Sequence, residues 1–148
     1  MKKIPFVSKE KIEEIAATYP TPFHLYEEKG IRENVEKVKA AFSWNAGFKE
    51  YFAVKATPNP FLMRLLYESG CGCDCSSYTE LMLCDAVGIG GSAIMFSSND
   101  TPQEDYRLAA KLGAILNLDD ITHIDFVEEI LGTLPETISC RFNPGGLF

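Results

Sequence analysis

From Glu50 onward, short apolar runs alternate with amphipathic stretches, and no other feature narrows the possible folds so far. The first run, Glu50-Tyr51-Phe52-Ala53-Val54-Lys55, ends before a proline turn. Residues 60–69 follow it, with Phe61, Leu62, Leu65 and Leu66 at helical spacing. Asn59 suits the cap of that helix, and Pro60 its first position. Further strands are predicted at 72–76, 93–97, 114–118 and 137–142, with helices at 79–87, 103–112 and 121–131 between them. The strand-to-strand repeat of roughly 20 to 24 residues is the mark of βαβ units and a parallel sheet. Gly88-Ile89-Gly90-Gly91 follows a helix and not the first strand, so it reads as a helix stop and not as a phosphate cradle. Periodicity alone leaves a doubly wound open sheet and a barrel both open.

Ahead of the alternation, residues 8–18 read as a helix capped by Ser8, and Tyr19-Pro20-Thr21-Pro22 stops it. Residues 23–26 alternate as a short strand, on which His24 is half-exposed. Gly30 punctuates, and Ile31, Val35, Val38, Ala41 and Phe42 mark a helix over 31–42. Trp44 is expected to pack within the loop that follows. Pro144-Gly145-Gly146 turns the chain away after the last strand.

A net charge of -7 on 148 residues offers no basic patch for nucleic acid or an anionic membrane. No run approaches the roughly 18 apolar residues of a membrane span. The two lysines after Met1 have no apolar core behind them, so the chain reads as cytoplasmic. Four of the five cysteines lie between Cys71 and Cys84. On a strand, Cys71, Cys73 and Cys75 would share a face at steps of about 6.6 Å, too far apart for thiolates on one zinc, which sit about 3.8 Å apart. They read as buried thiols of a reducing compartment, with no metal site.

Lys55 is the residue with chemical promise. Strand periodicity puts it on one face with Tyr51 and Ala53, and a strand covered on both sides would desolvate its ammonium and lower its pKa. An amine so tuned attacks carbonyls and forms Schiff bases. The plainer alternative is a strand-end lysine reaching into solvent.

Tyr51-Phe52-Ala53-Val54-Lys55-Ala56, the following Asn59-Pro60, and Gly70-Cys71-Gly72-Cys73-Asp74-Cys75-Ser76-Ser77-Tyr78-Thr79-Glu80-Leu81 together resemble the fold-type III pyridoxal-phosphate decarboxylases. That family includes the diaminopimelate, ornithine and arginine decarboxylases. The resemblance implies a (β/α)8 TIM-type barrel, of which about five of eight parallel strands lie here, as in alanine racemase-like enzymes. It implies pyridoxal 5'-phosphate as cofactor, held by Lys55 as a Schiff base. It also implies Asp74 beside that lysine and Arg141 near the cofactor ring and its phenolic oxygen, both as cofactor-binding residues. Residues 1–29 would belong to a second, β-rich domain, and 30–148 to the first half of the barrel. The phosphate loop and other partners of the cofactor would lie beyond Phe148, so the chain reads as an N-terminal fragment, inactive alone.

Functional residues of such a barrel gather at the carboxyl ends of strands, where Lys55, Asp74, Ser97-Ser98-Asn99, Asp119 and Arg141-Phe142-Asn143 fall. If the cysteines face the helices, Asp74 faces inward on the side of Lys55. Glu80 reads as a capping-box partner of Ser77 ahead of any catalytic role. Arg141, on a buried strand, needs an anion, either the cofactor or Asp74 or Asp119. His123 reads as a surface residue. The resemblance implies a small-molecule amino acid as substrate, meso-diaminopimelate first, with ornithine, arginine or carboxynorspermidine as competitors. It implies a homo-oligomer, with no nucleic-acid or membrane partner. A catalytically silent fragment, or an interaction module working through open sheet edges, is the alternative of another class.

Overall fold

The computed structural model describes residues 4–142, 144 and 145. The expectations for Met1, Lys2, Lys3, Asn143 and Gly146 lie outside the described residues. Five strands, β1 (Tyr51–Ala53), β2 (Gly72–Cys75), β3 (Ile94–Ser98), β4 (Ile115–Leu118) and β5 (Ile138–Cys140), form one parallel sheet in the order β1-β2-β3-β4-β5. The α-helices among the described residues are α1 (Lys9–Thr18), α2 (Glu28–Ala41), α3 (Pro60–Glu68), α4 (Tyr78–Ala86), α5 (Gln103–Lys111) and α6 (Thr122–Leu131).

Strand alternation decides which side chains meet the helices. Cys73 and Cys75 of β2, Ile94 and Phe96 of β3, and Leu116 and Leu118 of β4 are buried in one core with Met63, Leu81, Cys84, Tyr106 and Val127 of the helices. Their neighbours in sequence, Asp74, Met95, Ser97, Ile115 and Asn117, are only half-buried. The helices therefore cover one face and leave the other to the chain's chemistry. A doubly wound sheet would reverse its strand order at a switch point and cover both faces. Sequential order with one-sided cover is instead the wall of a (β/α)8 barrel, of which this chain builds five strands.

From β1 onward the expected elements stand within a residue or two of their predicted bounds, while α2 begins three residues before its predicted start; the ends follow local chemistry. Ser8 accepts from Lys11 N at the start of α1, and Asn59 Oδ1 from Phe61 N at the start of α3, with Pro60 at the first helical position. Gly88, at φ 75°, ends α4: its N–H donates to Asp85 O at 3.0 Å and the Ile89 N–H to Cys84 O at 2.9 Å. That pair of bonds is a Schellman motif, and the glycine is a helix stop.

Other expectations are corrected. Residues 23–26 form no strand, because no partner strand among the described residues offers them a ladder, and His24 is exposed, stacked on Tyr26. Gly30 lies inside α2 and does not precede it. Trp44 is 79% exposed, since Phe42 and Phe48 stack on each other in that loop at 4.3 Å and leave it out. β5 is an edge strand paired only to β4, so Cys140, Arg141 and Phe142 are exposed where a buried strand was expected.

Gly72 sits where a close approach requires it. The Tyr51 ring crosses over it so that the Tyr51 hydroxyl can donate to Ser92 O at 2.7 Å, and Lys49 Nζ donates to the same carbonyl at 2.9 Å. The floor of the inner face is thereby closed by one tyrosine.

Candidate active site

β1 ends early. Val54–Ala56 is a 3-10 turn closed by the Thr57 N–H on Val54 O at 3.0 Å, with Thr57 held extended before Pro58. Val54 is fully buried in the core, and Lys55 is exposed at the sheet's rim. The cover expected on both sides of Lys55 is missing, because the barrel interior is open in this chain.

Lys55 nevertheless stands in company. A cleft of about 500 Å³ is lined by Lys55, Asp74, Ser76, Ser97, Ser98, Asn99, Asn117, Asp119 and Arg141. That size suits a cofactor-sized ligand. Each lining residue lies at the carboxyl end of a strand or in the loop after it, as barrel sites do. Asp74 faces this cleft, opposite in direction to Cys73 and Cys75 on its own strand. Burial pushes its carboxyl above the ordinary carboxylate value and the Glu80 charge adds to the rise, against a Ser97 hydrogen bond and the Lys55 charge. Its Oδ1 is buried with no hydrogen-bond partner. A buried carboxylate oxygen without a partner calls for a donor or a positive charge.

Arg141 is exposed and paired with Asp119, Nη1 to Oδ1 at 2.8 Å, so of the two acids weighed for it Asp119 is the partner. The Arg141 N–H also donates to Leu118 O at 2.9 Å, which carries the side chain to the cleft mouth. Ser76 and Asn117 escaped the sequence reading. Asn117 left a signal there, a polar residue interrupting the apolar alternation Ile115-Leu116-Asn117-Leu118.

The loop below Asp74 is held by a cap. Ser77 Oγ accepts from Glu80 N at 3.4 Å, while the Glu80 carboxylate accepts from Ser76 N at 3.0 Å and from both serine hydroxyls at 3.1 Å. Glu80 is buried, and its role is the capping one expected. Replacing it by alanine orphans three donors, and we expect urea unfolding to show a loss of about 1–2 kcal/mol.

The four thiols from Cys71 to Cys84 are buried, as expected, whereas Cys140 is exposed. Cys75 Sγ and Cys84 Sγ lie 3.5 Å apart, in the same buried core as Cys73. The neighbouring Cys84 thiol and burial push the Cys73 thiol far up. Cys84 is pushed up to about 12: Cys73 lowers it, and the Cys75 bond with burial outweighs that. Among the described residues no group of three or more His, Cys, Asp or Glu is arranged to hold a metal ion. His123 is not a plain surface residue: it is half-buried, and its Nδ1 meets the Tyr106 hydroxyl at 3.2 Å.

A larger cavity, about 620 Å³, lies between α2, α3 and β1, lined by Phe6, Leu25, Ile31, Val35, Phe52 and Leu62 among others. Its charged lining residues are the carboxylates of Glu27 and Glu50, which repel an anionic phosphate. The cleft at Lys55 instead sets two cations against two carboxylates, Arg141 and Asp119 being paired, and adds several hydroxyl and amide donors. Pyridoxal phosphate fits that donor set. Among the described residues no helix is long and apolar enough to cross a membrane.

Comparison with known proteins agrees. The chain is 40% identical over 136 residues to Protein TabA of Pseudomonas amygdali pv. tabaci, covering 92% of this chain and 31% of that protein. It is 29% identical over 139 residues to the diaminopimelate decarboxylase of Thermoplasma acidophilum, covering 94% and 33%. The crystal structure of diaminopimelate decarboxylase from M. jannaschi superposes with a TM-score of 0.74 at 28% identity, over 86% of this chain and 31% of that one. The chain thus spans about a third of the length of the relatives it matches. Residues 28–146 match the pyridoxal-binding domain of the pyridoxal-dependent decarboxylases, and the chain belongs to that family.

Proposed function

We propose that this chain is the lysine-bearing part of an amino-acid decarboxylase that works with pyridoxal phosphate, and that meso-diaminopimelate is the substrate. The observation that carries the reading is the meeting of Lys55, the orphaned Asp74 carboxylate and the Arg141–Asp119 pair in one cleft. The likeness to diaminopimelate decarboxylases supports the choice of substrate. TabA, a relative at higher identity whose name specifies no substrate, keeps ornithine, arginine and carboxynorspermidine as the second reading.

When bound, pyridoxal phosphate supplies the electron sink that allows carbon dioxide to leave Cα. Lys55 would hold it through its Nζ and give it up to the incoming amine. Asp74 would keep a negative charge beside that nitrogen and so favour its protonated form. Arg141, oriented by Asp119, would donate to an oxygen of the ring. Residues 1–29 would serve a second domain, and the open wall would be completed by the rest of a barrel within a homo-oligomer.

The test has two arms. Pyridoxal phosphate is added to the 148-residue chain, reduced with borohydride, and the adduct mapped; we expect weak labelling at Lys55 and no turnover. A protein carrying the complete barrel is then assayed for carbon dioxide release from meso-diaminopimelate, ornithine, arginine and carboxynorspermidine. Strong labelling at another lysine overturns the site, turnover by the short chain overturns its inactivity, and preference for another amino acid overturns the substrate.

A further inference from the structure

Three polar side chains on three adjacent strands form a row across the inner face of the sheet. Ser97 of β3 and Asn117 of β4 are register partners, and Asn117 Nδ2 donates to Ser97 Oγ at 3.0 Å. Ser97 stands two residues beyond Met95, the register partner of Asp74 on β2, and lines the same cleft as Asp74, whose carboxyl its hydroxyl lowers. The row has a direction. A serine hydroxyl that accepts the amide N–H keeps its single proton for another acceptor, and the carboxylate of Asp74 is the acceptor at hand. Asp74 Oδ1 is buried and unpaired, and its residue lines the cleft that Lys55 shares. The strands are already laddered by their backbones, so the row is not needed to join them.

We propose that Ser97 and Asn117 are positioning residues of the Lys55 site, fixing the orientation and the charge of the Asp74 carboxylate beside the lysine. Their effect on Asp74 rests on their place beside it on the inner face; their effect on catalysis rests on the reading of Lys55 given above. The charged groups facing Asp74 are Lys55 from the turn after β1 and Glu80 from α4, while Asp119 and Arg141 at the cleft mouth are paired with each other. Burial already holds the Asp74 carboxyl up, and Ser97 with Lys55 holds it down. Loss of the hydroxyl therefore moves it further up, so less of its charge remains near neutrality. The negative charge that Asp74 presents to Lys55 across the cleft is then smaller.

The experiment follows the Asp74 side-chain carboxyl by carbon NMR against pH, without cofactor, with Asp74→Asn fixing the assignment. In Ser97→Ala the midpoint is expected to rise by about one unit, the size of one hydrogen bond to a charged group. In Asn117→Leu it should rise by less, and Ser97→Thr, which keeps the hydroxyl, should restore it. With pyridoxal phosphate bound, the pH midpoint of its visible absorbance should fall in Ser97→Ala and stay in place when Ser97→Ala is added to Asp74→Asn. An unmoved Asp74 midpoint in a Ser97→Ala protein of parental circular dichroism overturns the row. If that variant does not fold, an unmoved midpoint in Asn117→Leu does so. Failure to fix cofactor on Lys55, with the Asp74 midpoints still shifting, would instead overturn the decarboxylase reading and leave the row standing.

Discussion

Replacing Lys55 by alanine in a protein with the complete barrel is expected to abolish borohydride-fixed pyridoxal and to cut turnover by roughly 10³-fold or more. On the function proposed above, the size follows from what would be lost, the nucleophilic nitrogen that would tie the cofactor. Folding should not change, because Lys55 is exposed and reports no ion pair that the core depends on, while its neighbour Val54 supplies the burial. An unchanged melting temperature with lost labelling separates a chemical role from a structural one. Retained labelling with full turnover would show that another amine carries the cofactor. Added methylamine, which can replace the missing nitrogen, should return a small part of the rate.

Gly72→Val should be the most destabilising single change in the sheet, by about 3 kcal/mol in urea unfolding. A Cβ at this position would stand 2.5 Å from Tyr51 Cδ1 and 2.8 Å from Ala93 O. The ring could swing away at the expense of its bond to Ser92 O, but the carbonyl belongs to the backbone entering β3 and cannot. Gly72→Ala already meets both atoms and should cost nearly as much. Adding Tyr51→Ala to Gly72→Ala should recover only part of the loss, since Ala93 O remains. Full recovery would put the whole conflict on the ring, and a Gly72→Val protein as stable as its parent would contradict the close approach.

Much of the barrel wall was legible in the chain because it depends on neighbours a few residues apart. Asn59-Pro60 at the head of α3, the Ser77 and Glu80 cap, and Gly88 at the end of α4 are local hydrogen-bond problems with local solutions. The alternation of Cys73-Asp74-Cys75 likewise tells which side chains go to the helices, since period two is a property of any strand. Residues 23–26 show the limit. Their alternation is real, yet a strand exists only where a second strand accepts its hydrogen bonds.

Alternation separates the two faces of a strand without naming the residue across the gap. Asn117 and Ser97 meet because β3 and β4 pair in one register out of several the sequence allows, and Tyr51 reaches Ser92 because β1 lies across β2 from it. Exposure was decided at the same level. Lys55 and Arg141 looked buried from their apolar neighbours, and both stand open because burial is set by whatever packs opposite, which in this chain is the unfilled interior of a five-stranded wall. Spacing along the chain was enough for the elements from β1 onward, for the caps at Ser8, Asn59 and Ser77, and for placing Asp74 opposite to its cysteine neighbours. The strand register, the meeting of Asn117 with Ser97 and the openness of the cleft came from contacts between distant residues, which depend on which strands pair and which surfaces find cover.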